Sequence, residues 1–279
     1  MNRTSTSIEL STGVRLPYVE QGDPAGVPLV LLHGYSDSRG SFEPLLAHLP
    51  RSVRAFALTQ RGHGDADRPA GGYRPEDFAA DVRAFMDAVG LEAAVIAGHS
   101  GGSYAAQRFA LDHPDRTLGL VLIGAFRAFH DNPAVLEFWE VVSQLTDPVD
   151  PAFVREFQES TLTRPVPPAF LDGVIAESCK LPARVWRSYL GDYLEAEVPT
   201  EKGTITAPTL IMWGDRDPYC PRDDQHALLA AIPGARLATY AGTGHVPHWE
   251  EPERSAADIS AFALSVGADA RAGLSLIHI

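Results

Sequence analysis

The stretch from Val95 to Phe109, VIAGHSGGSYAAQRF, joins a β-favouring run to a helix-forming one through Gly98-His99-Ser100-Gly101-Gly102. An apolar strand on one side and an amphipathic helix on the other place Ser100 on a sharp corner. On the residues alone, two readings of that corner stand open. In one, G-x-S-x-G in this context is a turn that presents a nucleophilic serine at the carboxyl edge of a sheet, with small neighbours relieving the crowded backbone. In the other, the small residues only let a helix pack closely on the sheet.

Working outward, short apolar runs alternate with amphipathic segments, which is the pattern of a mostly parallel sheet covered by helices on both faces. SIELS and VRLPYVEQG, either side of Thr12-Gly13, read as an antiparallel hairpin at the sheet edge. PLVLLHG, VRAFALTQ, AAVIAGHS, LGLVLIGAF, PTLIMWGD and ARLATYAG follow, each apolar enough for a strand buried on both faces. Together these make eight strands. RPEDFAADVRAFMDAVG reads as a helix with Phe78, Val82, Phe85, Met86 and Val89 on one stripe, opened by Pro75 and closed by Gly90.

Residues 127–207 break the rhythm. They hold four helical patterns, near 133–145, 151–160, 168–179 and 183–195, punctuated by prolines and rich in large apolar residues such as Phe138, Trp139, Phe153, Phe157, Trp186 and Tyr189. We read them as a helical cap inserted into a core domain made of residues 1–126 and 208–268. Residues 269–279 read as a disordered or artefactual tail. No internal repeat is found.

Composition narrows the function. The 279 residues are 45% hydrophobic and 21% charged, ordinary globular usage, and the formal net charge of −13 argues against nucleic acid or an anionic membrane as partner. No window approaches the roughly 20 apolar residues of a membrane helix, and the polar opening lacks a secretory h-region, so a cytoplasmic location is the default expectation. Cys179 and Cys220 match neither a zinc spacing nor C-x-x-C and read as reduced thiols.

A serine hydroxyl needs a general base, and the base needs a group that holds its tautomer. TLIMWGDRDPYCP supplies Asp215 and Asp217 after one strand, and YAGTGHVPHWEEP supplies His245 and His248 after the next. The chain order is then Ser, Asp, His, with every candidate at the same sheet edge, where open α/β sheets bind ligands. LVLLHGYSD ends a strand at His33-Gly34, letting the Tyr35 N–H face a pocket; the Gly101 N–H, just after the serine, would be the second donor to a developing oxyanion.

With His33-Gly34, Arg61-Gly62-His63-Gly64, Gly98-His99-Ser100-Gly101-Gly102, Gly214-Asp215-Arg216-Asp217, and Gly244-His245 followed by Glu250 and Pro252, the chain resembles an α/β-hydrolase of the esterase, lactonase, haloperoxidase and C–C-bond hydrolase group. The match runs from about residue 18 to 266. The resemblance implies an α/β-hydrolase fold with a cap and a cofactor-free, metal-free Ser-His-Asp triad: Ser100 as nucleophile, Asp217 rather than Asp215 as acid, His245 rather than His248 as base. It also implies a small hydrophobic ester or lactone substrate, with Gly34, Phe126, Trp139, Trp186, Tyr189 and Val246 as candidate pocket residues, in a monomer or homodimer. There are two departures. Gly101 stands where a methionine or other large residue often follows the nucleophile, and Ala66-Asp67 follows the Arg61 motif where a small serine is usual.

Other readings remain. His33 and His99 read as structural, Arg61 and His63 as braces of their loop, and a metal pair at His245 and His248 lacks a third ligand. C–C hydrolysis and perhydrolysis would use the same triad, whereas an epoxide hydrolase or dehalogenase would need a carboxylate at position 100. A slow-turnover lactone receptor is the non-enzymatic alternative. Because a histidine base must be neutral, activity is expected to rise with pH through the histidine range, near about 6.5.

Overall fold

The apolar runs form the strands because a chain buried on both faces must satisfy its backbone groups in a ladder while its side chains leave water. The computed structural model describes residues 3–277, and the side-chain surroundings of residues 3–270. The strands are β1 Arg3–Glu9, β2 Arg15–Gln21, β3 Val27–Leu32, β4 Val53–Leu58, β5 Ala94–His99, β6 Thr117–Ile123, β7 Thr209–Gly214 and β8 Arg236–Tyr240. They make one sheet in the order β1-β2-β4-β3-β5-β6-β7-β8. β1 and β2 form the expected antiparallel hairpin, β2 also pairs antiparallel with β4, and every other pairing is parallel. β8 departs from the both-faces-buried reading: its first four residues are exposed or half-buried because it is the sheet's edge.

Eleven α-helices accompany the sheet among the described residues: α1 Glu43–Leu46, α2 Pro75–Ala88, α3 Gly101–Asp112, α4 Pro133–Val142, α5 Pro151–Ser160, α6 Pro168–Ser178, α7 Ala183–Leu194, α8 Pro199–Lys202, α9 Arg222–Ala231, α10 Pro247–Glu250 and α11 Pro252–Ile277. α2 begins and ends as its sequence dictates. Pro75 takes the first helical position, the Arg74 N–H donates to the Asp77 carboxylate at 3.0 Å, and the chain turns away through Gly90 at φ 72°. α11 runs past residue 268 to Ile277, so residues 269–277 continue the helix where the sequence reading placed a tail. Alanines at 268, 270 and 272 favour helix, and no proline interrupts it. Residues 278 and 279, the rest of that expected tail, lie outside the described residues.

Alternating strand residues feed two cores. Leu29, Leu31, Val95, Ala97, Val121 and Ile123 point to one face, against Phe42, Leu45, Ile259 and Phe262. Val30, Leu32, Ile96, Leu120 and Leu122 point to the other, against Phe78, Phe85, Tyr104 and Phe109. That second core runs without a break into the segment between β6 and β7, where α4–α8 supply Val154, Trp186, Tyr189 and Tyr193. The insertion therefore sits over the carboxyl edge of the sheet. No described helix is long and apolar enough to cross a membrane.

Candidate active site

The corner between β5 and α3 is as sharp as the glycines imply. A Cβ on Gly98 would strike the Gly102 carbonyl, and one on Gly102 would strike the carbonyls of Leu32 and His33, so strand and helix meet only because both side chains are missing. Ser100 itself adopts φ 53°, ψ −124°, a region that costs a non-glycine residue on the order of 1–3 kcal/mol. Its N–H donates to the Ile123 carbonyl at 2.9 Å, and its carbonyl accepts the Ser103 hydroxyl at 2.6 Å, which hold the strain in place. Among the described residues, Ser36 and Ser100 are the two non-glycine positions with positive φ, and both belong to this edge. The two readings of the corner thus coincide: close packing is what presents the serine.

The loops after β7 and β8 bring a histidine and a carboxylate together. The His245 ring is bonded through Nδ1 to Asp217 Oδ2 at 2.8 Å, with both side chains almost fully buried. The other oxygen, Asp217 Oδ1, accepts the N–H groups of Tyr219 at 2.8 Å and Cys220 at 3.0 Å, fixing the carboxylate plane. Asp215 turns elsewhere and accepts the Gly242 N–H at 2.6 Å. His248 is fully buried among Phe42, His99 and Trp249 with neither ring nitrogen bonded, and burial pulls its pKa down to about 3. Cys220 brings its sulfur within 4.8 Å of the Asp217 and His245 ligand atoms, but its thiol donates to the Gly124 carbonyl at 3.3 Å. Cys179 is likewise a free thiol.

Ser100, Gly101, Tyr35 and His245 line one cavity beneath the insertion. Its wall is largely aromatic and aliphatic, with Asp37, Gln158 and Thr161 among its polar members and no lysine or arginine. Of the pocket residues expected from sequence, Phe126, Tyr189 and Val246 are in this wall. Trp186, Trp139 and Gly34 are not. The Trp186 carbonyl instead accepts the Tyr35 hydroxyl at 2.6 Å from behind, because its indole is packed between Phe153 and Phe157. Trp139 packs over Gly191, and Gly34 sits under the elbow, where a Cβ would press on His99 and on the Ser100 Cβ.

Asp37 was not singled out by the sequence reading. It follows the β3 loop into the cavity wall, with its carboxyl almost wholly buried. Gln158 on α5 donates to Asp37 Oδ1 at 3.0 Å and also reaches the hydroxyls of Ser36 at 3.1 Å and Ser178 at 3.0 Å. Asp37 Oδ2 lies 3.9 Å from His99 Nδ1. Since His99 Nε2 lies 3.2 Å from the His245 carbonyl, which can only accept, Nε2 carries the proton and Nδ1 is bare. Burial pushes the Asp37 carboxyl up to about 7, against the opposing pull of the Gln158 hydrogen bond and the field of His245. No sequence signal pointed to Asp37: Gln158 shares a helix face with Val154, but the burial of that face and its meeting with Asp37 arise only in the fold.

The remaining motif residues brace the scaffold. Arg61 forms a buried two-pronged pair with Asp81, 2.6 Å on each side. His63 Nδ1 bonds the Arg61 carbonyl at 2.8 Å, and His33 Nε2 accepts the Gln60 N–H at 3.0 Å.

Known proteins resemble this chain along most of its length. The sequence model described as the alpha/beta hydrolase family matches residues 29–258. A non-heme chloroperoxidase from Streptomyces lividans is 26% identical over 280 residues, covering 93% of this chain and 99% of that protein. A 2-hydroxy-6-oxononadienedioate/2-hydroxy-6-oxononatrienedioate hydrolase from Paraburkholderia xenovorans is 27% identical over 279 residues, covering 90% and 92%. Among solved structures, an esterase from Rhodococcus sp. superposes with a TM-score of 0.82 at 25% identity, covering 94% of this chain and 99% of that one.

Proposed function

We propose, from the premise that this chain belongs to the alpha/beta hydrolase family, that it is a serine hydrolase cleaving an uncharged carboxylic ester or lactone through an acyl-enzyme on Ser100. One observation carries the reading: a strained Ser100 shares a cavity with a His245 whose Nδ1 is held by Asp217 at 2.8 Å. With Nδ1 engaged, Nε2 is the nitrogen that takes the Ser100 proton as Oγ attacks the carbonyl carbon. The oxyanion is received by the N–H groups of Tyr35 and Gly101. As the tetrahedral intermediate collapses, His245 returns the proton to the leaving alkoxide. Water, deprotonated by the same imidazole, then releases the acid and restores Ser100.

Substrate class follows from the wall. A substrate carboxylate would meet the Asp37 carboxyl and no lysine or arginine, so a diacid of the kind named for the Paraburkholderia relative fits poorly, whereas a neutral hydrophobic ester fits well.

A fluorophosphonate probe tests the nucleophile. Labelling of wild type that disappears in Ser100→Ala is the expected result, and equal labelling of the two, or none, overturns the assignment. A panel of p-nitrophenyl esters and lactones then separates turnover from mere binding.

A further inference from the structure

The residue after the nucleophile is the departure to explain. Gly101 offers no side chain where a large one is common, and in this fold the space is taken by the Tyr189 hydroxyl: a Cβ at position 101 would collide with that oxygen. Tyr189 belongs to α7 of the insertion, and its ring is locked among Tyr193 at 4.2 Å, Tyr35 at 4.9 Å, Phe78 at 5.3 Å and His63 at 5.4 Å. It therefore touches both residues whose backbone N–H groups form the oxyanion site. Both of them, and Ser100, line the cavity with it.

We propose that the Tyr189 hydroxyl is a third oxyanion donor, delivered by the insertion onto the site formed by Tyr35 and Gly101. The inference rests on the acyl-transfer reading above and adds a catalytic residue to it. The phenol donates a hydrogen bond and keeps its proton, so no bond is made or broken beyond those of acyl transfer. The stacked Tyr193 ring, with centroids 4.2 Å apart, holds the Tyr189 phenol against Gly101. Burial raises the Tyr189 pKa, so the group remains a donor throughout the working pH range. A donor of this kind acts most strongly in a dry, fixed site, which the stacked rings provide.

The test is Tyr189→Phe, assayed with an ester that wild type turns over and with its thionoester, whose sulfur is a weaker acceptor. The expected result is a kcat about 100-fold lower with KM nearly unchanged, together with a smaller ratio of ester to thionoester rates than in wild type. A kcat within about threefold of wild type, or an unchanged ratio, overturns the proposal. Should Tyr189→Phe fail to fold, 3-fluorotyrosine at position 189 makes the phenol a stronger donor without changing its shape. A kcat that does not move then overturns it equally. Failure of the underlying reading looks different: wild type itself would neither label with the fluorophosphonate nor hydrolyse esters.

Discussion

Two aspartate–histidine pairs meet at one cavity, Asp37–His99 with both members in its wall and Asp217–His245 through the histidine, and they are built to opposite ends. In Asp217–His245 the groups are 2.8 Å apart, and two backbone N–H groups hold the carboxylate's other oxygen. In Asp37–His99 the closest approach is 3.9 Å, one side-chain amide holds the carboxyl, and the imidazole spends its N–H on the His245 carbonyl. In the proposed mechanism the first arrangement orients an imidazole toward Ser100. The second leaves a bare imidazole nitrogen facing a buried acid, a contact eased by a proton on Asp37. Residue type is the same in both pairs; what differs is how many fixed donors each carboxyl receives and where the histidine's proton is committed.

Breaking the first pair has the largest expected effect. Asp217→Asn keeps the shape but no longer selects the tautomer that leaves Nε2 able to accept, so kcat falls by on the order of 10,000-fold. Asp215→Asn, two residues away, leaves kcat close to wild type because Asp215 serves the Gly242 turn. Steady-state kinetics of the two variants check this, and comparable losses in both would erase the distinction between them.

Breaking the second pair acts on stability with a defined sign. The Asp37 pKa is about 7 in the folded chain and about 3.9 in an unfolded one. Below both values the group is neutral in either state and contributes nothing. Between them the folded chain holds a proton that the unfolded chain has lost, so stability falls as pH rises and levels off above about 7. The full difference is on the order of 4 kcal/mol. Asp37→Asn removes this dependence: its stability relative to wild type, from urea unfolding, climbs between about pH 4 and pH 7. A constant difference across that range would show that Asp37 does not titrate there. The same ionisation places a negative charge in the cavity wall beside Tyr189, His99 and His245, so wild-type kcat declines on the alkaline side and the variant's does not.

The contrast also marks what one sequence can tell. Six strands were legible because apolar runs bounded by glycine and polar turns admit few alternatives, and β1 and β2 were legible as a hairpin around Thr12-Gly13. The Asp217 and His245 loops were legible because each directly follows such a run. The Asp37 contact depends on Gln158, 121 residues away on another element, and no local pattern encodes that meeting. The wall was legible only in part for the same reason. Aromatic residues in α4–α7 are all apolar enough for burial, but side-chain type does not say which helix face meets the cavity. Trp186 and Tyr189, three residues apart on α7, illustrate it: the first backs Tyr35, and the second reaches Gly101. The extent of α11 failed differently, since an alanine-rich end read as a tail has ample intrinsic preference for helix.

The smallest expected effect sharpens the second pair without touching either member. Gln158→Leu keeps the apolar contacts of α5 but withdraws the amide that serves Asp37, Ser36 and Ser178. Leaving those buried groups short of a partner costs about 1–3 kcal/mol, read as a lower urea midpoint. The amide hydrogen bond favours the charged carboxylate, so its loss raises the Asp37 pKa further, and the alkaline decline of kcat moves to higher pH. A decline that stays in place, or moves toward neutral pH, would mean that another group governs it. The two readouts are separable, because a lost hydrogen bond lowers stability at every pH whereas only a titrating Asp37 ties Gln158 to the position of the alkaline limb.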